Sequence, residues 1–388
     1  MTSDHISTRR IADFAEIFDG PHATPNRRAS GPYFLNISSL LNGRLDLSRS
    51  DRVDEVDFKR WTRRVTPREG DLLFSYETRL GEAALMPAGT RACLGRRMAL
   101  LRLTADDVCP RYLLYKWLSP EVKNLIHRHV IHGATVNRIA LSTLGEWRLH
   151  LPSLPEQEAV ANVLGALDDK IEVNRRLAAT ADELATAVVR SLPASDWVRL
   201  ADVADVTMGS SPKGERLNED GEGLPFYQGI RDFGLRYPSR RVFTTAPIRH
   251  AAAGDVLVSV RAPVGTLNLA SEEMCIGRGV ASLRPQDRRP YLLFHLLRGI
   301  PEVWAKYNAG GTVFGSINRS QLEDLEVPRP AGVVAEQFES RLRSLEGTLA
   351  AAVAETHTLG TLRDTLLPKL MSGDLRVREA EAAVAEAV

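Results

Sequence analysis

Two side-chain chemistries stand out in this chain of 388 residues, a planar cation and a carboxamide. Seven of its 50 Lys and Arg residues are Lys, which leaves 43 Arg. A guanidinium presents a rigid fork of donors that matches phosphate oxygens and the edge of guanine, although genomic base composition produces the same bias. Arg27, Arg28, Arg96, Arg97 and Arg138 in the first half, and Arg231, Arg240, Arg241, Arg261, Arg278 and Arg319 in the second, lie near Gly, Asn or Gln in expected loops. From such loops side chains reach phosphates and base edges. Asn36, Asn137, Gln228 and Asn318 are the amides whose fork could pair with N6 and N7 of adenine. A solvated surface or a loop cap uses the same residue types, and both readings stand at this point.

Other chemistries are poorly supplied. No Lys is followed by Ser or Thr, so a phosphate-binding GxxxxGK[ST] loop is excluded, and no GxGxxG turn for a nucleotide cofactor occurs. The Asn-Pro-Pro-Tyr or Asp-Pro-Pro-Tyr stretch that holds a flipped adenine for methyl transfer is also missing. Acid-x-Lys pairs at Asp57/Lys59, Glu121/Lys123 and Asp168/Lys170 lack a preceding Pro-Asp and read as chance. His127, His129 and His132 form the one histidine cluster, but on a helix that spacing does not share a face, so solvated or phosphate-facing histidines are expected and no metal. Cys93, Cys109 and Cys275 contain no CxxC pair and read as inert thiols.

The elements that would position the Arg-rich loops are legible in a repeat. Arg10–Ile17 returns as Arg199–Val206, GDLLFSYETRLGEAAL from Gly70 returns as GDVLVSVRAPVGTLNL from Gly254, and Cys93–Arg97 returns as Cys275–Gly279. Gly133–Leu144 likewise matches Gly311–Leu322. A period this long means a duplicated domain and not a solenoid. Runs such as Asp71–Tyr76 and Asp255–Val260 predict strands, and Pro110–His129 and Pro290–Tyr307 predict helices, so each half is mixed α and β.

Between the halves, Leu151–Leu192 predicts one long helix, opened by a capping-box spacing at Ser153 and Glu156. Val160, Leu164, Leu167 and Ile171 form a seam at heptad spacing, with Asn174 as its one polar member. Phe338, Leu342, Leu345, Leu349 and Leu359 repeat the pattern near the end of the chain. A specified helix pair and an ordinary core helix both fit the seam. From Pro155 to Leu192 such a helix would span about 57 Å, a spacer's length. The expected fold class is α+β, with two pseudo-repeated mixed α/β domains separated by two long helices. The expected boundaries are 1–153, 154–193, 194–330, 331–375 and an Ala/Glu-rich tail at 376–388, either a frayed helix or without structure.

Charge is uneven within a net +1. Residues 1–150 carry 23 basic and 17 acidic side chains, whereas both helical segments are net acidic. Charge alone therefore argues only weakly for a nucleic-acid partner. No apolar run approaches a membrane span, and the expected location is the cytoplasm.

LPSLPEQ at 151–157, LDDKIEVNRRL at 167–177, GDVLVSVRAPVG at 254–265, CIGRGVASLRP at 275–285 and LRDTLLPKLMSG at 362–373 carry a resemblance over nearly the whole chain. The sequence resembles the specificity subunit of a Type I restriction-modification system. The resemblance implies two target-recognition domains on double-stranded DNA, one per half-site, and two helices packed antiparallel as a coiled coil. It further implies two methyltransferase subunits as partners, with restriction subunits joined through them and no membrane partner. No cofactor would belong to this chain: S-adenosylmethionine would belong to the methyltransferase, ATP and Mg to the restriction subunit. Two alternatives of other classes are a self-contained restriction or modification enzyme and a coiled-coil scaffold without DNA binding. The halves differ at Glu77-Thr78-Arg79 against Arg261-Ala262-Pro263, and at Arg97 against Gly279. Such differences mean either a different base contact or a solvated loop.

Overall fold

The computed structural model describes residues 7–133, 136–193, 196–308, 315–330 and 332–387. The outermost residues of the expected domains, and the part of the last repeat at 311–314, lie outside these. Ten α-helices occur among the described residues: α1 Glu55–Trp61, α2 Pro110–Leu118, α3 Pro120–His129, α4 Leu141–Leu144, α5 Leu154–Arg190, α6 Pro290–Arg298, α7 Pro301–Asn308, α8 Arg319–Glu323, α9 Gly332–Ser372 and α10 Val377–Ala387. The fold is α+β. The chain divides into two compact units, Met1–Glu172 with Thr356–Val388, and Val173–Glu355. Each unit therefore takes one globular segment together with part of each long helix, where the sequence reading set the helices apart as separate segments.

In the first unit an antiparallel sheet runs in the order Ala15–Asp19, Met98–Leu103, Leu72–Ser75, Ala83–Leu85. A second sheet joins Asp51–Arg52, Arg28–Leu35 and Ala92–Leu94, the last two parallel. Ser7–Arg10 pairs with Arg148–Leu151, which ties the start of the segment to the residues that precede α5. Leu72–Ser75 is buried along its whole length because both its faces are covered, with Leu72 and Phe74 in one core and Leu73 in another, so Leu72–Phe74 reads as an apolar run and not as an alternation.

The second unit repeats this plan. Its antiparallel sheet is ordered Ala204–Met208, Val280–Pro285, Val256–Ser259, Leu267–Leu269. Leu224–Tyr227 and Met274–Ile276 are the parallel pair of a five-stranded sheet, and Asp196–Arg199 pairs with Glu326–Arg329. One buried strut recurs in both units. Asp71 accepts from Arg102 Nε at 3.0 Å and from the Arg68 backbone at 2.9 Å, and Asp255 accepts from Arg284 Nε and from the Ala252 backbone, each at 2.9 Å. A buried carboxylate left without donors is costly, and this set satisfies its oxygens.

The predicted helices at Pro110–His129 and Pro290–Tyr307 each occur as two. Pro120 and Pro301 open the second member of each pair. Before Pro120, Ser119 is pushed to an extended ψ of 159° by the proline ring, which ends α2. At the start of α5 the Ser153 backbone N–H donates to Glu156 Oε2 at 3.0 Å, so the predicted box forms one of its two bonds to backbone. Gln157 is buried: its Oε1 accepts from the Cys109 N–H at 3.0 Å and its Nε2 donates to the Pro152 carbonyl at 2.9 Å. Its counterpart by motif, Gln337, is exposed.

The seam residues meet across α5 and α9 inside each unit. In the first, Val160, Leu164, Leu167 and Ile171 share a core with Leu359, Leu366 and Leu370, and Arg363 pairs with Asp168 at 2.8 Å. In the second, Ala178 and Ala181 pack with Leu349 and Ala352, and Ala185 packs with Phe338 and Leu342, with Leu345 partly buried beside them. Asn174 is 3% exposed, and its Nδ2 donates to Glu355 at 2.8 Å. Within each unit residue numbers fall along α9 as they rise along α5, so the pairing is antiparallel. α10 forms in the tail and packs Ala380, Val377 and Val384 on the first unit's core.

Candidate nucleic-acid interface

In each unit the loops that carry the arginines are held together by the same backbone bonds. In the first unit Tyr76 N–H donates to the Arg97 carbonyl at 3.2 Å, Ile139 N–H to the Tyr76 carbonyl at 2.8 Å, and Thr78 N–H to the Asn137 carbonyl at 3.4 Å. In the second, Val260 N–H donates to the Gly279 carbonyl at 3.0 Å, Ile317 N–H to the Val260 carbonyl at 3.0 Å, and Ala262 N–H to the Gly315 carbonyl at 2.9 Å. Isolated antiparallel bridges complete the match, Glu77 with Arg138 and Arg261 with Ser316. The amide-bearing turn joins them in both units: Gly95 N–H donates to the Leu35 carbonyl and Gly277 N–H to the Tyr227 carbonyl, which places Asn36 and Gln228 alike.

Two glycines let the turn close. Gly81 and Gly265 have φ of +79° and +88°, and a Cβ on Gly265 would lie 2.3 Å from the ring of Trp304. Ser75 Oγ and Ser259 Oγ each donate to a carbonyl within the turn, Arg79 and Pro263 respectively. Burial, then the charges of Glu77 and Asp19, push the Tyr76 phenol up to about 12. It stays protonated and donates to the Arg96 carbonyl at 2.6 Å, fixing that loop.

The arginines named from the sequence fall into two groups. Arg96 and Arg138 in the first unit, and Arg231, Arg261 and Arg278 in the second, are exposed, and among the described residues their guanidinium groups meet no acceptor. The others are tethered. Arg27 pairs with Asp51 at 3.2 Å, Arg28 with Asp54 at 3.1 Å, Arg240 with Glu272 at 2.5 Å, Arg241 with Asp232 at 3.0 Å and Arg319 with Glu323 at 2.8 Å. Arg97 lies between the groups, its Nε 3.5 Å from Glu77, an ion pair longer than a good hydrogen bond.

The amides are mostly engaged in the fold. Asn36 Oδ1 accepts from the Ser38 N–H at 2.8 Å and its Nδ2 donates to the Arg49 carbonyl at 3.3 Å. Asn318 caps α8, its Oδ1 accepting from the Gln321 N–H at 2.9 Å while the Gln321 side chain accepts from the Asn318 N–H at 3.0 Å. Gln228 Oε1 accepts from Ser211 Oγ at 2.8 Å, and Ser211 Oγ lies 3.3 Å from the Arg278 N–H, so the amide and the Arg278 loop are joined through one hydroxyl. Asn137 Oδ1 is 3.3 Å from His132 Nδ1. Ser211, Tyr76 and Ser316 were not singled out from the sequence, and the signal that could have found Ser316 is its place opposite Arg138 in the repeat.

The remaining sequence candidates have structural partners. His129 Nδ1 lies 2.9 Å from the Leu125 carbonyl and its ring packs on Trp147, and no cluster of three His, Cys, Asp or Glu able to hold a metal occurs among the described residues. Asp168 accepts from Tyr115 and Arg363, and Glu121 from Lys116. Cys93 and Cys275 are buried, and burial pushes the Cys93 thiol up to about 12. No helix among the described residues is long and apolar enough to cross a membrane.

Known proteins share this arrangement. The family model of the Type I restriction modification DNA specificity domain matches twice, at residues 4–181 and 194–337. The MjaX specificity subunit of a type I restriction enzyme, so named in Methanocaldococcus jannaschii, is 28% identical over 95% of this chain and 93% of its own length. The MjaIX specificity subunit of the same organism is 21% identical over 96% and 94%. A crystal structure of the S subunit of a Type I restriction-modification system from M. genitalium aligns with a TM-score of 0.64 over 95% of this chain and 97% of that one, at 16% identity, and shares its fold. With two matched copies that together span most of its length, the chain belongs to the Type I restriction-modification specificity family.

Proposed function

We propose that the chain is a non-catalytic subunit that reads a bipartite target on double-stranded DNA, one half-site per recognition domain, and docks methyltransferase subunits on α5 and α9. The observation that carries this reading is the duplicated loop frame: two chemically different sets of side chains on one backbone arrangement suit two different half-sites. Arg96, Arg138, Arg231, Arg261 and Arg278 contact the duplex; the amides Asn137 and Gln228 stand beside them. The tethered arginines and the capping amides Asn36 and Asn318 support those loops. Methyl transfer from S-adenosylmethionine, and any ATP- and Mg-dependent cleavage, belong to methyltransferase and restriction partners. The absence of the corresponding sequence motifs supports that division.

The test is a gel-shift and a random-duplex selection with the full chain co-purified with its methyltransferase partner. Selection of a two-part sequence, with affinity that falls as salt rises through counterion release, is expected. Because this chain carries a net charge of only +1, much of that salt dependence should come from the partner. Methylation by the chain alone would favour a self-contained enzyme, and an assembled complex that binds no duplex would favour a scaffold.

A further inference from the structure

Four positions recur in the two loop frames: 77 with 261, 96 with 278, 97 with 279, and 138 with 316. The matched backbone bonds and bridges hold each set alike. In an antiparallel bridge the facing side chains leave one surface with Cβ atoms about 5 Å apart. Residues 77 and 138, or 261 and 316, therefore face the same ligand together.

The occupants differ in a specific way. The first set is Glu77, Arg96, Arg97 and Arg138; the second is Arg261, Arg278, Gly279 and Ser316. One acid and three bases, against two bases and no acid, leave the same net charge of +2 in both. The long-range attraction to a phosphate backbone follows that sum, which is kept. Discrimination of bases depends on which donor or acceptor stands where, and that is transposed: the cation at the bridge is the later residue, Arg138, in the first unit and the earlier one, Arg261, in the second. Arg96 and Arg278 hold the same place in both and suit a contact common to any duplex.

We infer that the bridge pairs 77/138 and 261/316 are the base-discriminating positions of the two domains, a reading that rests on the function proposed above. Arg138 in the first domain and Arg261 in the second each take a guanine through O6 and N7, the bidentate contact a free guanidinium favours. Glu77, 20% exposed and held on one side by Arg97, presents a carboxylate acceptor to the exocyclic amino group of a cytosine. Ser316 is too short to compete with Arg261 for its base. Arg96 and Arg278 neutralise phosphates.

The experiment transposes the pair. Arg261→Ser with Ser316→Arg, which keeps the set's net charge of +2, is made in the full chain co-purified with its methyltransferase partner and put through random-duplex selection beside the unaltered complex. The second half-site should exchange its guanine preference for a different base at one or two positions, and affinity for the original target should fall about 5- to 150-fold, the usual span for one lost bidentate contact. The first half-site stays unaltered and shows in the same reads that the complex is assembled. Arg278→Ala should instead weaken binding to all sequences alike and reduce the salt slope. If the double variant loses all selection in the second half, Arg261→Ala decides: one relaxed guanine position supports the inference, and an unaltered preference overturns it. An unaltered second half-site in the double variant, or a change in both half-sites, also overturns it. An unaltered complex that selects no sequence at all defeats the DNA-reading function and this inference with it.

Discussion

At the residue scale, hydrogen-bond partners decide which amides and arginines are committed to the fold. Asn318 is an amide beside an arginine in a loop, yet its Oδ1 and its backbone N–H both serve the first turn of α8. Asn318→Ser keeps an N-cap acceptor and should leave both the melting temperature and the selected sequence unaltered, whereas Asn318→Ala should cost about 1 kcal/mol in denaturant unfolding and still leave the selected sequence alone. The turn glycines make a second contrast. A Cβ on Gly265 meets the rigid ring of Trp304 at 2.3 Å, while one on Gly81 meets the flexible end of Ile126 at 2.5 Å. Gly265→Ala should therefore lose about 2–4 kcal/mol and Gly81→Ala clearly less, although both share the strain of a positive φ.

At the element scale, the helix pair is held by apolar contacts with a few buried polar ones. Leu164 and Leu349 are fully buried in their units, so an Asp at either should cost about 3 kcal/mol or more by burying an unpaired charge, read as a lower melting temperature. The second unit also contains a buried ionic cluster. His295 on α6 lies 2.8 Å from Glu346 on α9, with Arg236, Arg298 of the same helix and Asp182 of α5 around it. Arg236 Nε is 2.9 Å from Glu346 Oε2 but off the line of a hydrogen bond. Burial, aided by Arg236 and Arg298 against the opposing pull of Glu346, holds the His295 imidazole below its usual 6.5. The unfolded chain takes up the proton first as pH falls, so this group's contribution is complete above about 6.5 and is lost below it. Melting temperature should drop between about pH 7.5 and pH 5.5, and His295→Gln should flatten that drop. Much of this level is legible in the sequence, because strands, heptads and caps repeat their letters wherever the backbone repeats its bonds. The bridge partners 77 and 138 are not legible, since only folding brings such distant residues together, and capping amides share their letters with the amides proposed to stand at the duplex.

At the scale of the whole molecule, the duplication predicts independent parts. Replacing residues 1–153 with the first domain of another family member should change one half-site, read by mapping methylated adenines, and leave the other half-site as it was. The fold also sets a condition on such exchanges. In the first unit the helix residues keep one half of each polar contact: Asp169 pairs with Arg111 at 2.6 Å, Glu172 with Arg44 at 3.0 Å, and Asp168 accepts from the Tyr115 hydroxyl at 2.7 Å. An incoming domain without donors at those places would remove one contact from each of three carboxylates on α5, of which Asp168 keeps Arg363 of α9. On the function proposed above, an exchange of domains would be constrained at the junction and unconstrained at the loops proposed to read DNA. On that reading the acids of α5 would act as a compatibility check on each newcomer, seen as a lower melting temperature in a chimera that lacks donors at positions 44 and 111.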